Sequence, residues 1–313
     1  SLLEGSCVRF VGTATTGVDH VDTGWLEDRG IAFVNAAGSN SNSVVEYVMS
    51  AIAVAGYFPG VLHGDPVGIV GLGRIGEALA RRLLQLGAQV LVYDPLRLDW
   101  PSDIPRGSFE AVLRQPVITL HANLHDRAPN ESRGLLGDRE VSIMLDAFNE
   151  RDRRGLFINS ARGELISFQA LDALSKAGFS LVMDTWPGEP KLCSTSLRRC
   201  DWVSPHIAGH SLCAKYRASN MLSEEIARWF GVEEMQSDME AVIAEQPDFI
   251  LDARDLEPDR WVTQFLIDRS TLPQENERVR TIACPDLTAT EFDHLRQSYN
   301  NPLEWTGGRI RVL

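Results

Sequence analysis

VGIVGLGRIGEALARRLLQLGAQVLVYD, residues 67–94, decides the fold. A short apolar run (Val67–Val70) leads into Gly71-Leu72-Gly73-Arg74-Ile75-Gly76. Apolar residues at helical spacing follow, and then a second apolar run ending at Asp94. Strand, glycine turn, helix and strand in that order begin a βαβ unit. G-x-G-x-x-G alone is a weak motif. Between a strand and a helix it gains meaning, because the backbone can approach a pyrophosphate that the helix N-terminus favours electrostatically. Asp94 lies at the end of the second strand, with 17 residues between it and Gly76. An acid there accepts hydrogen bonds from the adenosine ribose hydroxyls and repels a 2′-phosphate, which predicts NAD rather than NADP. Arg97, near the same strand end, is a residue that in principle accommodates such a phosphate, but with Asp94 in place the reading remains NAD. The expected cofactor-binding set is therefore Gly71, Gly73, Arg74, Ile75, Gly76 and Asp94.

The alternation of apolar runs and amphipathic stretches continues outward. PVITLHA, GLFINSA, FSLVMDTW and WVSPHIA read as further buried strands, and SFQALDALSKAG reads as a crossover helix. Six parallel strands with helical connections describe an α/β, doubly wound (Rossmann) sheet, expected over residues 43–210. NSVVEYVMSAIAVAG is expected to be a helix capped by Asn42. Residues 1–42 read strand, loop, helix, strand, and SLCAKYRASNMLSEEIARWFG is a long amphipathic helix ending at Gly231. Residues 1–42 and 211–231 are assigned together to a second domain. The remainder, 232–313, has fewer apolar runs and more proline and acid, and is expected to form a separate small α+β module.

Composition removes several function classes. With 313 residues and 44% hydrophobic content, the chain can build more than one core. A formal charge of −13 argues against a nucleic-acid surface. No run of 18 or more apolar residues exists, and SLLEGSCVRF lacks the pattern of a secretion signal, so no membrane partner is expected. Cys7, Cys193, Cys200, Cys213 and Cys284 show no disulfide-like spacing and read as thiols of a cytoplasmic protein. Only three lysines (Lys176, Lys191, Lys215) accompany 27 arginines. An anionic substrate would thus be held by a few local arginines or helix N-termini, against the global field.

Three strand ends beyond the glycine loop carry the groups that oxidation of an alcohol needs. INSARGELIS places Arg162 after a strand, where a guanidinium grips a carboxylate in a bidentate pair. MDTWPGEP places Glu189 after the next, and SPHIAGH places His206 after the last. In a parallel sheet these ends share the ligand-facing edge, and a histidine with an acid partner is a base tuned near neutrality.

In order and spacing these motifs resemble the NAD-dependent D-2-hydroxyacid dehydrogenases. The resemblance implies that Arg162, Glu189 and His206 are the catalytic set, that Asp184 and Gly209 contact the nicotinamide end of NAD, and that the substrate is a small anionic 2-hydroxy acid. HANL at 121–124 stands where the family reads H-T-P-L, so Ala122 takes the place of a cofactor-contacting threonine. FVGTATTGVDHVD, SPHIAGHSLCAK and EFDHLRQSYNNPLEW narrow the likeness to members that oxidise a phosphorylated four-carbon hydroxy acid in vitamin B6 biosynthesis. From these come substrate contacts at Thr15 and at His210, where those members carry an aromatic. They also imply a flavodoxin-like substrate domain and a homodimer formed through residues 232–313. Such members carry further strand–helix units ahead of the position of Ser1. Without them the expectation is an incomplete substrate domain with a bare strand edge and weak substrate binding. Ile166-Ser167 replace the Val-Asp that the family carries after its Arg-Gly pair, a change to which no consequence is attached. Two alternatives stay open: another dehydrogenase of the family, of the phosphoglycerate or hydroxypyruvate type, and a non-catalytic NAD(H)-sensing protein.

Other features have plainer readings. His206 and His210 have an i, i+4 spacing that would ligate zinc on a helix, but the flanking Pro205 and Gly209 indicate a loop and no third ligand follows, so no metal is expected. DHVD at 19–22 reads as acids at a helix N-terminus, Trp186 as packing, and His121 and His125 as strand-end and loop residues. Cys213 lacks an activating base, and the acidic stretch 233–259 reads as a solvated surface.

Overall fold

The computed structural model describes residues 2–151, 154–233, 248–254, 256–257, 260–283, 286–306, 308 and 310–312. Cys284 and much of the acidic stretch 233–259 lie outside the described residues. The chain divides into two compact units. The first comprises Ser1–Ser43, Gly209–Phe249 and Asn301–Arg309, and the second comprises Val44–Ala208, Ile250–Asn300 and Ile310–Leu313. Residues 232–313, read from sequence as one separate module, are thus shared between the two units.

The first unit contains strands β1 (Phe10–Thr13) and β2 (Ala32–Asn35), which pair in parallel with Phe10 opposite Ala32 and Thr13 opposite Asn35. Helix Thr23–Asp28 joins them. Asp22 caps it by accepting from Trp25 N at 2.9 Å, the role expected of the DHVD acids. Helix Leu212–Phe230 is capped by Ser211, which accepts from Ala214 N at 2.8 Å, and it ends at Gly231 with φ +65°, a left-handed turn that suits glycine. Leu222 of this helix lies against Gly12, and Phe10 meets the rings of Trp229 and Phe230 at 5.8 and 6.2 Å. Ile226, Trp229 and Phe230 nevertheless remain exposed. Glu304 is buried and accepts from Ser43 Oγ at 2.6 Å, Ser211 Oγ at 2.8 Å and the Arg217 guanidinium, so its charge is paired rather than stranded.

The second unit is built on six parallel strands. These are β3 (Val67–Val70), β4 (Val90–Tyr93), β5 (Val117–Leu120), β6 (Leu156–Asn159), β7 (Ser180–Met183) and β8 (Trp202–Val203), in spatial order β4-β3-β5-β6-β7-β8. Every expected strand is present. The inner strands β3, β5, β6 and β7 are buried along their whole length, as a sheet covered on both faces requires, whereas edge strand β4 alternates. Helix Arg74–Gln85 buries Gly76, Leu79, Ala80 and Leu83, a stripe at helical spacing. Glu77 in its first turn and Arg82 in its last complement the helix dipole. Helix Ser41–Val54 opens before Asn42, so the residue expected as its cap is instead its second position.

The other edge strand, β8, is covered by chain from the C-terminal region. On helix Leu272–Ile282, Asn276 Oδ1 accepts from Val203 N at 3.1 Å, and Arg280 donates to the carbonyls of Cys200 and Asp201. Leu192 and Leu287 exchange backbone hydrogen bonds of 3.0 and 2.9 Å. Val279, Leu287, Phe292 and Leu295 belong to the same buried core as Leu181 and Val203. An edge that would otherwise present unpaired polar backbone is thereby closed. Strands β9 (Phe249–Leu251) and β10 (Ile310–Val312) pair with each other. Among the described residues no helix is long and apolar enough to cross a membrane, and Cys7, Cys193, Cys200 and Cys213 carry thiols rather than disulfides.

Candidate active site

Strands β6, β7 and β8 are adjacent and parallel, so Arg162, Glu189 and His206 all follow C-terminal strand ends on one edge of the sheet. Asn159, the last residue of β6, shapes the first turn. Its amide donates to Arg162 O at 2.9 Å and its carbonyl oxygen accepts from Ala161 N at 3.1 Å. Arg162 is extended and donates from Nη1 to Ala161 O at 2.8 Å. At Gly163 a Cβ would stand 1.9 Å from Trp186 O, so only glycine lets the Arg162 turn lie against the Trp186–Pro187 backbone from which the Glu189 turn begins.

His206 Nδ1 and Glu189 Oε1 are 2.6 Å apart, and Glu189 Oε2 accepts from Trp186 N at 3.0 Å. Burial acts to raise the Glu189 carboxyl, but the His206 hydrogen bond and charge and the Trp186 N–H outweigh it and hold the group below its ordinary value. A carboxylate only accepts, so Nδ1 carries the proton that is shared with Glu189. Nε2 is then the nitrogen with a lone pair for a substrate hydroxyl.

The backbone that presents this histidine is strained. His206 has φ +58°, the one positive φ outside glycine among the described residues, and the left-handed region costs a non-glycine residue about 1 kcal/mol. Asp184, at the end of β7 and fully buried, holds the loop in place. It accepts from Ile207 N at 2.8 Å, Ala208 N at 2.9 Å and Ser204 Oγ at 2.6 Å, while its carbonyl accepts from His206 N at 2.8 Å. Because Ser204 spends its proton on Asp184, Tyr47 must donate to Ser204 Oγ, at 2.7 Å. Burial pushes the Tyr47 phenol well above its ordinary value and also raises Asp184, against the opposing pull of His206 and the loop N–H groups. Trp186 is fully buried and donates to Ser204 O at 2.9 Å, the packing role expected of it.

Two features of this arrangement extend the sequence reading. Asp184, expected at the nicotinamide end of the cofactor, accepts with its carboxylate from the loop that follows β8. Tyr47 and Ser204 were not singled out at all. The available signal was a tyrosine within the apolar helix Ser41–Val54, since a buried phenol needs a partner.

At the other end of the edge, strand order reverses between β3 and β5, the crevice where doubly wound sheets take ligands. Gly71 has φ +99°, and a Cβ there would come within 2.6 Å of Ala122 N, which places Ala122 directly against the glycine turn. A Cβ on Gly76 would stand 2.0 Å from Gly71 O, whereas Gly73 faces open space. Arg74 is exposed and Ile75 half-buried at the start of the helix. Asp94 Oδ2 accepts from Leu72 N at 2.8 Å and Oδ1 from Leu96 N at 2.8 Å, leaving lone pairs on a half-buried carboxylate. The tight turn, the open second glycine and the strand-end acid fit a dinucleotide: backbone N–H groups for the pyrophosphate and Asp94 for ribose hydroxyls. His121 is buried behind this turn, 3.0 Å from Thr119 Oγ1, and burial lowers its pKa to about 3.

The remaining expected residues lie in the first unit. Thr15 is exposed, with its hydroxyl donating to Gly17 O at 2.8 Å. His210 is half-buried and immediately precedes the Ser211 cap. A Cβ on Gly209 would meet the Asn40 amide at 2.3 Å, so that glycine is required by close packing. Among the described residues no group of three or more His, Cys, Asp or Glu is placed to hold a metal ion.

Residues 49–208 match the family model described as D-isomer specific 2-hydroxyacid dehydrogenase, NAD binding domain. Over 98% of this chain and 80% of the relative, the sequence is 34% identical to erythronate-4-phosphate dehydrogenase of Yersinia enterocolitica. Identity to the enzyme of the same name from Cellvibrio japonicus is 35%, over 100% of this chain and 82% of that protein. Among solved structures, the NAD complex of NAD-dependent formate dehydrogenase from Staphylococcus aureus is similar with a TM-score of 0.58 and 25% identity. That match covers 73% of this chain and 74% of the other.

Proposed function

The chain belongs to the D-isomer specific 2-hydroxyacid dehydrogenases, uses NAD, and we propose that it oxidises erythronate 4-phosphate to the corresponding 2-oxo acid in the synthesis of vitamin B6. The observation that carries the chemistry is the 2.6 Å contact between His206 Nδ1 and Glu189 Oε1 on a loop fixed by Asp184. The substrate is carried by the names of relatives aligned over nearly the whole chain.

In this reading NAD, when bound, supplies the hydride acceptor. His206 Nε2 takes the proton of the substrate C2 hydroxyl as the C2 hydride departs, and the imidazolium so formed is stabilised by the Glu189 carboxylate. Arg162 pairs with the substrate carboxylate through two parallel N–H bonds and fixes C2 relative to His206. Asp184, Ser204 and Tyr47 are positioning residues that hold the loop carrying His206. Thr15 and His210 are assigned to the substrate, with His210 as a donor to an anionic group. Gly209 is assigned to the nicotinamide end of the cofactor. We extend the proposal to a cytoplasmic homodimer, a setting with which the four thiols accord.

The test is substrate discrimination by the purified protein with NAD. Reduced NAD should appear with erythronate 4-phosphate at a kcat/KM far above that for 3-phosphoglycerate. Preference for 3-phosphoglycerate would overturn the substrate assignment and leave the family intact. NADH binding without turnover of any 2-hydroxy acid would point to a sensor.

A further inference from the structure

Arg97, which follows Asp94 at the end of β4, is a cation placed to bear on the choice between NAD and NADP, and each nitrogen of its guanidinium has a partner. Nη1 donates to Leu72 O at 3.0 Å, Nη2 lies 3.1 Å from Glu77 Oε2, and Nε lies 2.6 Å from Asp99 Oδ1. The peptide groups flanking Leu72 are therefore clasped from both sides by the end of β4: Asp94 accepts from Leu72 N at 2.8 Å and Arg97 donates to its carbonyl. Glu77, the residue after the third glycine of the turn, is shared with Arg81, which also pairs with Asp103. Beside the strand-end acid this cluster sets the carboxylates of Asp94, Glu77 and Asp99 against the guanidiniums of Arg97 and Arg81. A dianionic 2′-phosphate needs a fork of free N–H donors and finds an excess of negative charge instead.

We propose that Glu77 and Asp99 are determinants of cofactor specificity that act through Arg97, by holding its guanidinium on the Leu72 carbonyl where it cannot receive the 2′-phosphate of NADP. Asp94 repels that phosphate directly. Glu77 and Asp99 withhold a guanidinium that would otherwise be available to bind it. Arg97 in this state is a strut of the glycine turn and serves NAD binding. The inference rests on the glycine turn and Asp94 being the NAD site.

Equilibrium binding of NADH and NADPH, followed by calorimetry without any substrate, tests this independently of the reaction. Asp94→Ser alone should narrow the preference for NADH only in part, because Arg97 stays occupied. Adding Glu77→Gln and Asp99→Asn should improve NADPH binding relative to NADH by about a further tenfold, the worth of one charge-assisted hydrogen bond. Arg97→Ala in that background should abolish the gain. Asp94→Ser with Asp99→Asn, which alters only one exposed carboxylate beyond Asp94, should show a smaller gain of the same sign if the triple variant fails to fold. A cofactor ratio unchanged from Asp94→Ser, or a gain that survives Arg97→Ala, overturns the proposal. Loss of stability alone would weaken both cofactors alike and leave the ratio unmoved, which also counts against it. Failure of the unaltered protein to bind NADH would instead overturn the reading beneath it.

Discussion

The two ends of the ligand-facing edge are built by different means. In the proposed site the working parts at β3 and β4 are backbone: a left-handed Gly71, an open Gly73, a Gly76 pressed on Gly71, and one strand-end acid. At β6 to β8 the working parts are side chains, and what holds them is a second layer of side chains that bond to backbone. There Asp184 takes two N–H groups of the His206 loop, Trp186 N orients Glu189, and Tyr47 supports Ser204. A site made of backbone tolerates side-chain change except where a Cβ would intrude. A site presented on a strained loop is sensitive to residues that never touch substrate.

That contrast orders the expected effects. Arg162→Ala should cost most among the supporting changes. Losing a charged, paired contact to the substrate carboxylate is worth about 2–5 kcal/mol, or roughly 30-fold to a few thousandfold in kcat/KM, with NADH affinity unchanged. Glu189→Gln keeps the Trp186 contact but removes the charge that stabilises His206. Turnover should fall by about 10², within the usual range for general base catalysis, again with little effect on the cofactor.

The same variant has a signature in pH. The Glu189 pKa is held below its ordinary value in the folded protein, so the stabilisation it contributes is present above the unfolded carboxylate pKa of about 4.3 and is lost as pH falls through the folded value. Urea unfolding should therefore separate native protein from Glu189→Gln at neutral pH and bring them together under acid conditions. A gap that widened on acidification would contradict the assigned pairing.

Asp184→Asn replaces an acceptor of three hydrogen bonds by a group that must turn its amide toward donors. It should lower stability by about 1–3 kcal/mol and turnover by roughly tenfold, while Asp94→Asn at the other end should alter NADH affinity and leave turnover at saturating cofactor nearly unchanged. Equal kinetic signatures for these two strand-end acids would erase the distinction between the ends. The smallest effect is expected of Tyr47→Phe, about 1 kcal/mol of stability read from urea unfolding, because Ser204 retains Asp184 as its acceptor.

His121, packed behind the glycine turn, has a pH signature of its own. Its folded pKa is lowered to about 3, so between that value and the unfolded pKa near 6.5 the unfolded chain binds the extra proton and stability falls as pH falls. His121→Gln should flatten the acid side of the stability profile in that window, read from urea unfolding.

What was legible in the sequence follows the same division. The glycine spacing, the strand-end position of Asp94 and the apolar runs identify the sheet and its cofactor end, because each depends on a local backbone requirement. Arg162, Glu189 and His206 were legible as residues after successive strands. The positive φ of His206, the burial of Asp184 and the hydrogen bond from Tyr47 depend on contacts between residues far apart in the chain, with Tyr47 and Ser204 separated by 157 positions. Local sequence marks at most a tyrosine in an apolar helix, and not which residue it meets. The C-terminal region was read as a separate module because its composition changes. Helix Leu272–Ile282 closes β8 through Asn276 and Arg280, polar residues that composition assigns to the surface.

The central claim is that the loop held by Asp184 presents His206 Nε2 as the base for hydride loss from C2 of erythronate 4-phosphate. Single-turnover formation of reduced nicotinamide, with enzyme and NAD in excess over erythronate 4-phosphate, tests it directly in native protein and His206→Ala. A loss of about 10²–10⁴ in the single-turnover rate, with NADH affinity held within about twofold, is the predicted result. A rate for His206→Ala within a few-fold of native would contradict it.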